Sequence, residues 1–110
     1  SPEEEARQNI QAESARVIVL NGTVEKGLAS RVQARLINEG FNVTGVGNAD
    51  RADYGLSELI IYGDPKQATI DALLTRFGIS EDRVRTQPDA DDKDLAIIVG
   101  GDQSETAAAN

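Results

Sequence analysis

The sequence contains no histidine, cysteine, methionine or tryptophan. Without histidine and cysteine, it lacks the commonest ligands of zinc and other transition metals. The same two absences remove histidine-based catalytic triads and cysteine nucleophiles. We therefore expect no catalytic residues, no metal site and no cofactor.

Aromatic side chains are also scarce, because the chain has only two tyrosines and two phenylalanines. At least two of these four are expected in the core, which leaves too few to line a cleft that hydrolyses glycans. The 19 acidic residues would supply carboxylate pairs for such chemistry, but the missing rings argue against a glycoside hydrolase.

Basic residues number 11 against 19 acidic ones, which gives a formal net charge of -8. The bases are dispersed, whereas duplex nucleic acid is bound through clustered lysines and arginines. The negative charge also disfavours an anionic membrane surface, and no apolar run is long enough to cross a bilayer. We expect no nucleic-acid partner and no direct membrane insertion by these residues.

The composition divides the chain into three parts. Residues 1–15 are polar and rich in Glu, Ala and Gln, which predicts a linker or a frayed helix. Residues 103–110 are rich in Ser, Thr and Ala, which predicts a disordered tail. The folded domain is then expected at 16–102, large enough for one hydrophobic core.

Hydrophobic patterns predict four main strands and two helices. Continuous apolar runs indicate buried strands at 17–20, 59–62 and 95–99, and alternation at 41–47 indicates an edge strand. Apolar faces at helical spacing predict one helix over 26–39 and a second that starts from an Asp64 N-cap with Pro65 and Gln67. Gly40 and Gly78 are expected to end these helices, and 83–86 is a candidate for a short extra strand.

The order β-α-β-β-α-β predicts an α+β fold of the ferredoxin-like, split β-α-β type. That fold has a four-stranded antiparallel sheet with two helices on one face. The first and third strands are expected at its centre. A doubly wound parallel sheet is the alternative, but a chain of this length supplies few strands for it.

The turn Asn21-Gly22-Thr23, followed by Gly27, is the first candidate site. A strand that feeds a helix through such a turn can hold an anion on backbone N–H groups. The turn lacks the second glycine and the Lys-Ser/Thr pair of a phosphate-binding P-loop. Simple chain reversal with a capping side chain is therefore the favoured interpretation.

The loop that contains Arg51, Asp53 and Tyr54 is the second candidate site. Arg51 can pair with a carboxylate or phosphate, and Tyr54 can stack on a sugar ring. A solvated loop with a local Arg–Asp pair is the alternative. The acidic run at 89–94 lacks the glycine and the distant glutamate of an EF-hand, so we interpret it as a solvated loop.

Four stretches are similar to the LytR C-terminal domain, which is found at the end of LytR-CpsA-Psr envelope proteins and as a solitary envelope domain. In order along the chain they are VIVLNGT, KGLASRVQARLINEGFNVTGVGNADRADY, LIIYGDP and LAIIVGGD. The likeness covers roughly 16–102, and it rests on the order and spacing of these pieces together.

The resemblance implies an extracytoplasmic module of the bacterial cell envelope, within a parent protein that is membrane-anchored. A separate catalytic domain of the parent family transfers glycopolymers to peptidoglycan, and no residues here resemble it. The implied role is non-catalytic binding of peptidoglycan, another wall polymer or an envelope protein, which regulates or positions envelope assembly. The alternative is a structural interaction or dimerisation domain attached to such a transferase. The binding residues would come from both loops, provided that the loops lie on one side of the sheet: Asn21, Gly22, Thr23, Arg51, Asp53 and Tyr54.

Overall fold

Five strands form a single mixed sheet in the computed structural model, which describes residues 1–104. Three α-helices and two short 3-10 turns, at Glu81–Arg83 and Gly101–Gln103, complete the fold. The main elements in chain order are α1 (Pro2–Glu13), β1 (Val17–Asn21), α2 (Leu28–Asn38), β2 (Val43–Asn48), β3 (Glu58–Tyr62), α3 (Gln67–Phe77), β4 (Val84–Gln87) and β5 (Leu95–Val99).

The strand order across the sheet is β2-β1-β5-β3-β4. β1 runs parallel to both β2 and β5, and β3 runs parallel to β4 but antiparallel to β5. The expected four-stranded antiparallel sheet is therefore wrong, and the ferredoxin-like order is not found. Each helical crossover places its two strands side by side and parallel, and β5 inserts between the two β-α-β units.

The strand positions predicted from the sequence agree with the structure better than the predicted strand pairing does. β2 lies at an edge, as its alternating pattern predicted, and the candidate strand at 83–86 is present as β4 at the other edge. The centre is β5, flanked by β1 and β3. All five residues of β5 are buried, which fits a strand with neighbours on both sides.

The helices cover one face of the sheet. Apolar side chains of all three helices join one core with Val17, Val19, Leu59 and Ile97. Alternate strand residues such as Ile18, Leu20 and Ile60 lie outside this core and are half-buried. Within residues 1–104 the domain is therefore a two-layer structure with one sheet face free of helices.

Glycines end both predicted helices, but the predicted start of α3 is wrong. Gly40 and Gly78 have positive φ angles of 104° and 64°, and Phe41 and Ile79 donate back to Leu36 and Leu74 in the manner of Schellman motifs. α3 begins after Lys66, which makes no side-chain cap hydrogen bond. Asp64 therefore does not cap this helix.

The carboxylate that caps α3 comes from Glu13, at the end of α1. It accepts hydrogen bonds from the backbone N–H groups of Ala68 and Thr69, both at 2.8 Å, and from the Thr69 hydroxyl at 2.6 Å. Residues 2–13 thus form a helix that is joined to the domain. Of the predicted tail, Gln103 lies in a 3-10 turn, and 105–110 fall outside the described residues.

Candidate functional site

The carboxyl ends of β1, β2 and β5 lie at the same edge of the sheet, because these three strands are parallel. Ligands of open α/β sheets commonly bind at this edge. Three segments leave the strands here: 22–27 towards α2, 49–57 towards β3, and 100–104 after β5. The two candidate loops of the sequence therefore meet at one edge.

Backbone hydrogen bonds join the three segments. Gly22 N–H donates to Val99 O at 2.9 Å, and Tyr54 N–H donates to Gly22 O at 3.0 Å. Gly101 N–H in turn donates to Tyr54 O at 2.8 Å. A Cβ atom on Gly22 would lie 2.7 Å from Tyr54 Cδ2 and 2.9 Å from Ile98 Cγ2, so only glycine fits there without a shift of its neighbours.

The polar groups of the Asn21-Gly22-Thr23 turn are used within the protein. Asn21 Oδ1 accepts from the N–H and the hydroxyl of Thr23 at 2.9 and 2.7 Å, and its Nδ2 donates to Glu25 O. Thr23 Oγ1 accepts from Glu25 N–H at 3.1 Å. With these donors committed, the turn offers no cradle for a phosphate, and the chain-reversal interpretation fits the geometry.

The second loop is held by its own side chains. Arg51 donates to Asp53 Oδ1 at 2.7 Å, and its guanidinium lies 4.0 Å from the centroid of the Tyr54 ring. The Tyr54 hydroxyl donates to Asp50 Oδ1 at 2.6 Å. This hydrogen bond raises the pKa of Tyr54 and lowers that of Asp50, because it favours the neutral phenol and the charged carboxylate.

Tyr54 is too buried to stack on a sugar as the sequence suggested. Only 6% of its surface is exposed, with Arg51 over the ring and the Gly22 backbone against its Cδ2 edge. Its ring forms a wall between the loops.

An open depression of about 480 Å³ lies where the loops meet, and we call it the edge depression. Of the six predicted binding residues, Thr23, Asp53 and Tyr54 line it, whereas Asn21, Gly22 and Arg51 contact those that do. The full lining comprises Thr23, Val24, Glu25, Ala52, Asp53, Tyr54, Gly101 and Ser104.

Val24 and Glu25 are lining residues that sequence reasoning missed. Val24 is 86% exposed, which is high for an apolar side chain. Glu25 forms an ion pair with Arg31 at 2.6 Å and accepts from the Ser104 hydroxyl at 2.5 Å. Val24 is an isolated apolar residue between the polar residues Thr23 and Glu25, and this pattern could have marked it as an exposed turn residue. No local sequence pattern marked Glu25 as part of the lining.

Hydrogen bonds to Ser57 hold the segment after β5 in place. Asp102 accepts from the hydroxyl and the N–H of Ser57 at 2.7 and 3.2 Å, and Ser57 Oγ accepts from Gly100 N–H at 3.0 Å. Ser57 is fully buried. The Gly100-Gly101-Asp102 sequence thus fixes one wall of the edge depression.

The family model described as LytR cell envelope-related transcriptional attenuator matches residues 14–102. This chain belongs to the LytR C-terminal domain family. The expected resemblance is confirmed, and it places the chain among envelope-related domains. No curated protein and no solved structure matches the chain.

Within this LytR C-terminal domain, several stretches that carried the resemblance meet at the edge depression: Asn21-Gly22-Thr23, the loop that starts at Asn48, and Gly101-Asp102. Their side chains mainly bond to one another. The motif residues therefore build the frame of the depression, while Val24 and Ala52 supply exposed surface on it.

In this LytR C-terminal domain, the acidic run at 89–94 is bound to Arg16. Asp94 accepts from the backbone N–H of Arg16 at 2.8 Å and from its guanidinium, and the Asp91 backbone carbonyl accepts from Arg16 Nη1. The hydrogen bond from Arg16 lowers the pKa of Asp94.

No group of three acids suited to a metal ion occurs within residues 1–104, and no helix in that range is long and apolar enough to span a membrane.

Proposed function

We propose that this chain is a non-catalytic, extracytoplasmic module of the cell envelope that binds peptidoglycan or another wall polymer at the edge depression. Its membership of an envelope-related family supports the location. The observation that carries the proposal is the convergence of both predicted loops on one depression, lined by Thr23, Asp53 and Tyr54. Binding there would regulate or position envelope assembly by a parent protein.

The lining of the edge depression favours an uncharged ligand, or one with both apolar and polar groups, over a phosphate. Its apolar surface comes from Val24, Ala52 and the edge of Tyr54, and its exposed charge is the Asp53 carboxylate. The backbone N–H groups of Thr23, Glu25 and Gly101 already donate within the protein. Such a wall suits methyl groups and hydrogen-bond donors of a ligand.

Retention on purified peptidoglycan, with NMR shift mapping by soluble muropeptides, tests this proposal. We expect retention of the wild-type protein and shifts at Thr23, Val24 and Ala52. Val24→Ser should reduce retention, and Ile37→Ser is the matched control because Ile37 is also exposed, at 52%, but lies on α2 away from the depression. Absence of both retention and shifts would contradict the proposal.

A structural interaction domain is the second candidate, favoured by the sheet face that carries no helix. Ile18, Leu20 and Ile60 are only half-buried there, and β2 and β4 are edge strands that can pair with another strand. Light scattering tests a dimer formed through these edges. A monomeric mass at every concentration would count against it.

A further inference from the structure

Helix α1 is held to the domain at few points. Ile10 is its only buried residue. Glu13, at the carboxyl end of α1, accepts three hydrogen bonds from the start of α3, and Arg7 Nη2, nearer the start of α1, donates to Asn38 O at 2.9 Å. The family match begins at residue 14, so α1 is an addition to the part of the chain that matches the family.

The space between these points is open to solvent. A groove of about 810 Å³ lies between α1 and α3, with Ala6, Phe41, Ala68 and Ala72 in its lining. A second open groove, of about 380 Å³, lies beside Ala6, Arg7 and Ile10. Apart from Ile10 and Glu13, the residues of α1 are exposed, so the helix covers this surface only in part. We call the surface beneath α1 the arm groove, defined by Phe41, Ala68, Thr69 and Ala72.

The connection between α1 and β1 is short and strained. Ser14 has φ 48°, and it is the only non-glycine residue with a positive φ among those described. This left-handed conformation is unfavourable for a residue with a Cβ atom. Ser14 N–H donates to Ile10 O within α1, and Ser14 O accepts from Asn42 Nδ2 at 3.3 Å. From Arg16 onwards the chain is held by Asp94 and by the hydrogen bond from Val17 N–H to Asn42 O, so Ser14 lies between the contacts of the helix and those of the sheet. Ser14 is therefore the natural hinge.

We propose that α1 is an exchangeable arm and that the arm groove is a contact site for α1 of a second copy of this chain. A short, strained hinge next to a helix with a single buried residue favours exchange between identical chains. The exchanged pair would re-form the contacts between α1 and the rest of the domain, including the cap on α3, while Ser14 gives up its hydrogen bond to Ile10 O and relaxes to an extended conformation. The α3 N-terminus gives the groove its chemical selectivity, because the N–H groups of Ala68 and Thr69, which Glu13 now caps, require a carboxylate when α1 leaves.

Single-cysteine variants test the exchange directly, because the natural chain contains no cysteine. One chain carries Ala6→Cys and the other Ala72→Cys, two positions that line the same cavity. Each chain has one thiol, so a disulfide between them can form only between two molecules. The control pairs Ala6→Cys with Ala52→Cys, which lies in the edge depression.

We expect the Ala6→Cys and Ala72→Cys pair to cross-link about tenfold faster than the control pair, because exchange raises the local concentration of the two thiols. Equal rates for the two pairs would overturn the proposal. Added to the Ala6→Cys chain, Ser14→Val should speed the reaction by disfavouring the closed hinge, and Ser14→Gly should slow it by relieving the strain. Equal rates for these two variants would also contradict the proposal, since the hinge would then have no part in the exchange.

Discussion

Gly100 shows how a single residue sets the distance between two segments of backbone. A Cβ atom there would lie 2.5 Å from Leu56 C, 2.7 Å from Leu56 O and 2.9 Å from Ser57 N. These are backbone atoms, so the contact cannot be relieved by a rotamer change. We expect Gly100→Ala to lower the free energy of unfolding by about 1–3 kcal/mol, measured by urea denaturation. Gly55→Ala, in the facing segment 49–57 and with no atom within 4 Å of its Cβ position, should change stability little; equal losses would contradict this account.

Tyr54 and Asp50 form the hydrogen bond that fixes the wall of the edge depression. The carboxylate holds the pKa of Tyr54 above its ordinary value. Asp50→Asn replaces that charge with a neutral amide, so the pKa of Tyr54 should fall towards about 10. Titration by tyrosinate absorbance checks this in a Tyr62→Phe background, where Tyr54 is the remaining tyrosine. An unchanged pKa would show that the hydrogen bond is absent in solution.

Among the elements, α3 depends on a cap supplied by α1. Replacing a capping side chain with alanine costs about 1 kcal/mol, and we expect Glu13→Ala to lose about that much. Glu5→Ala, an exposed acid on the same helix, is the control. Burial raises the pKa of Glu13, but the hydrogen bonds from Thr69 and Ala68 and the charge of Lys66 outweigh it, so the pKa is lowered overall.

That lowered pKa gives the cap a defined pH dependence. Its stabilisation is fully present above the ordinary glutamate pKa of about 4.3 and is lost as the pH falls through the lower folded-state value. The stability difference between wild type and Glu13→Ala should therefore narrow in acid. Urea denaturation at a series of pH values measures it, and a difference that widens on acidification would contradict the cap.

The same element shows what the sequence can and cannot predict. The apolar runs located β1, β3 and β5 because burial leaves a local pattern, and Gly78 marked the end of α3 because its positive φ angle favours glycine. The Glu13 cap was not predictable, because it joins residues more than 50 positions apart. Strand order likewise depends on tertiary packing. The sequence identified both candidate loops, but it did not predict the burial of Tyr54, because that burial depends on Gly22, which is distant in sequence.

At the scale of the whole molecule, the net charge of -8 should decide which wall component is bound. Phosphate-bearing wall polymers would repel the protein at low salt, and this repulsion is screened at physiological ionic strength, where the Debye length is about 8 Å. We expect retention of the protein on untreated cell walls to rise with salt. Walls stripped of phosphate polymers should retain more protein at low salt than untreated walls do, and their retention should change little as salt is added. The stability of the free protein at each salt concentration is the control. Retention that falls as salt is added would indicate attraction to a charged polymer and would contradict binding through the edge depression to an uncharged part of peptidoglycan.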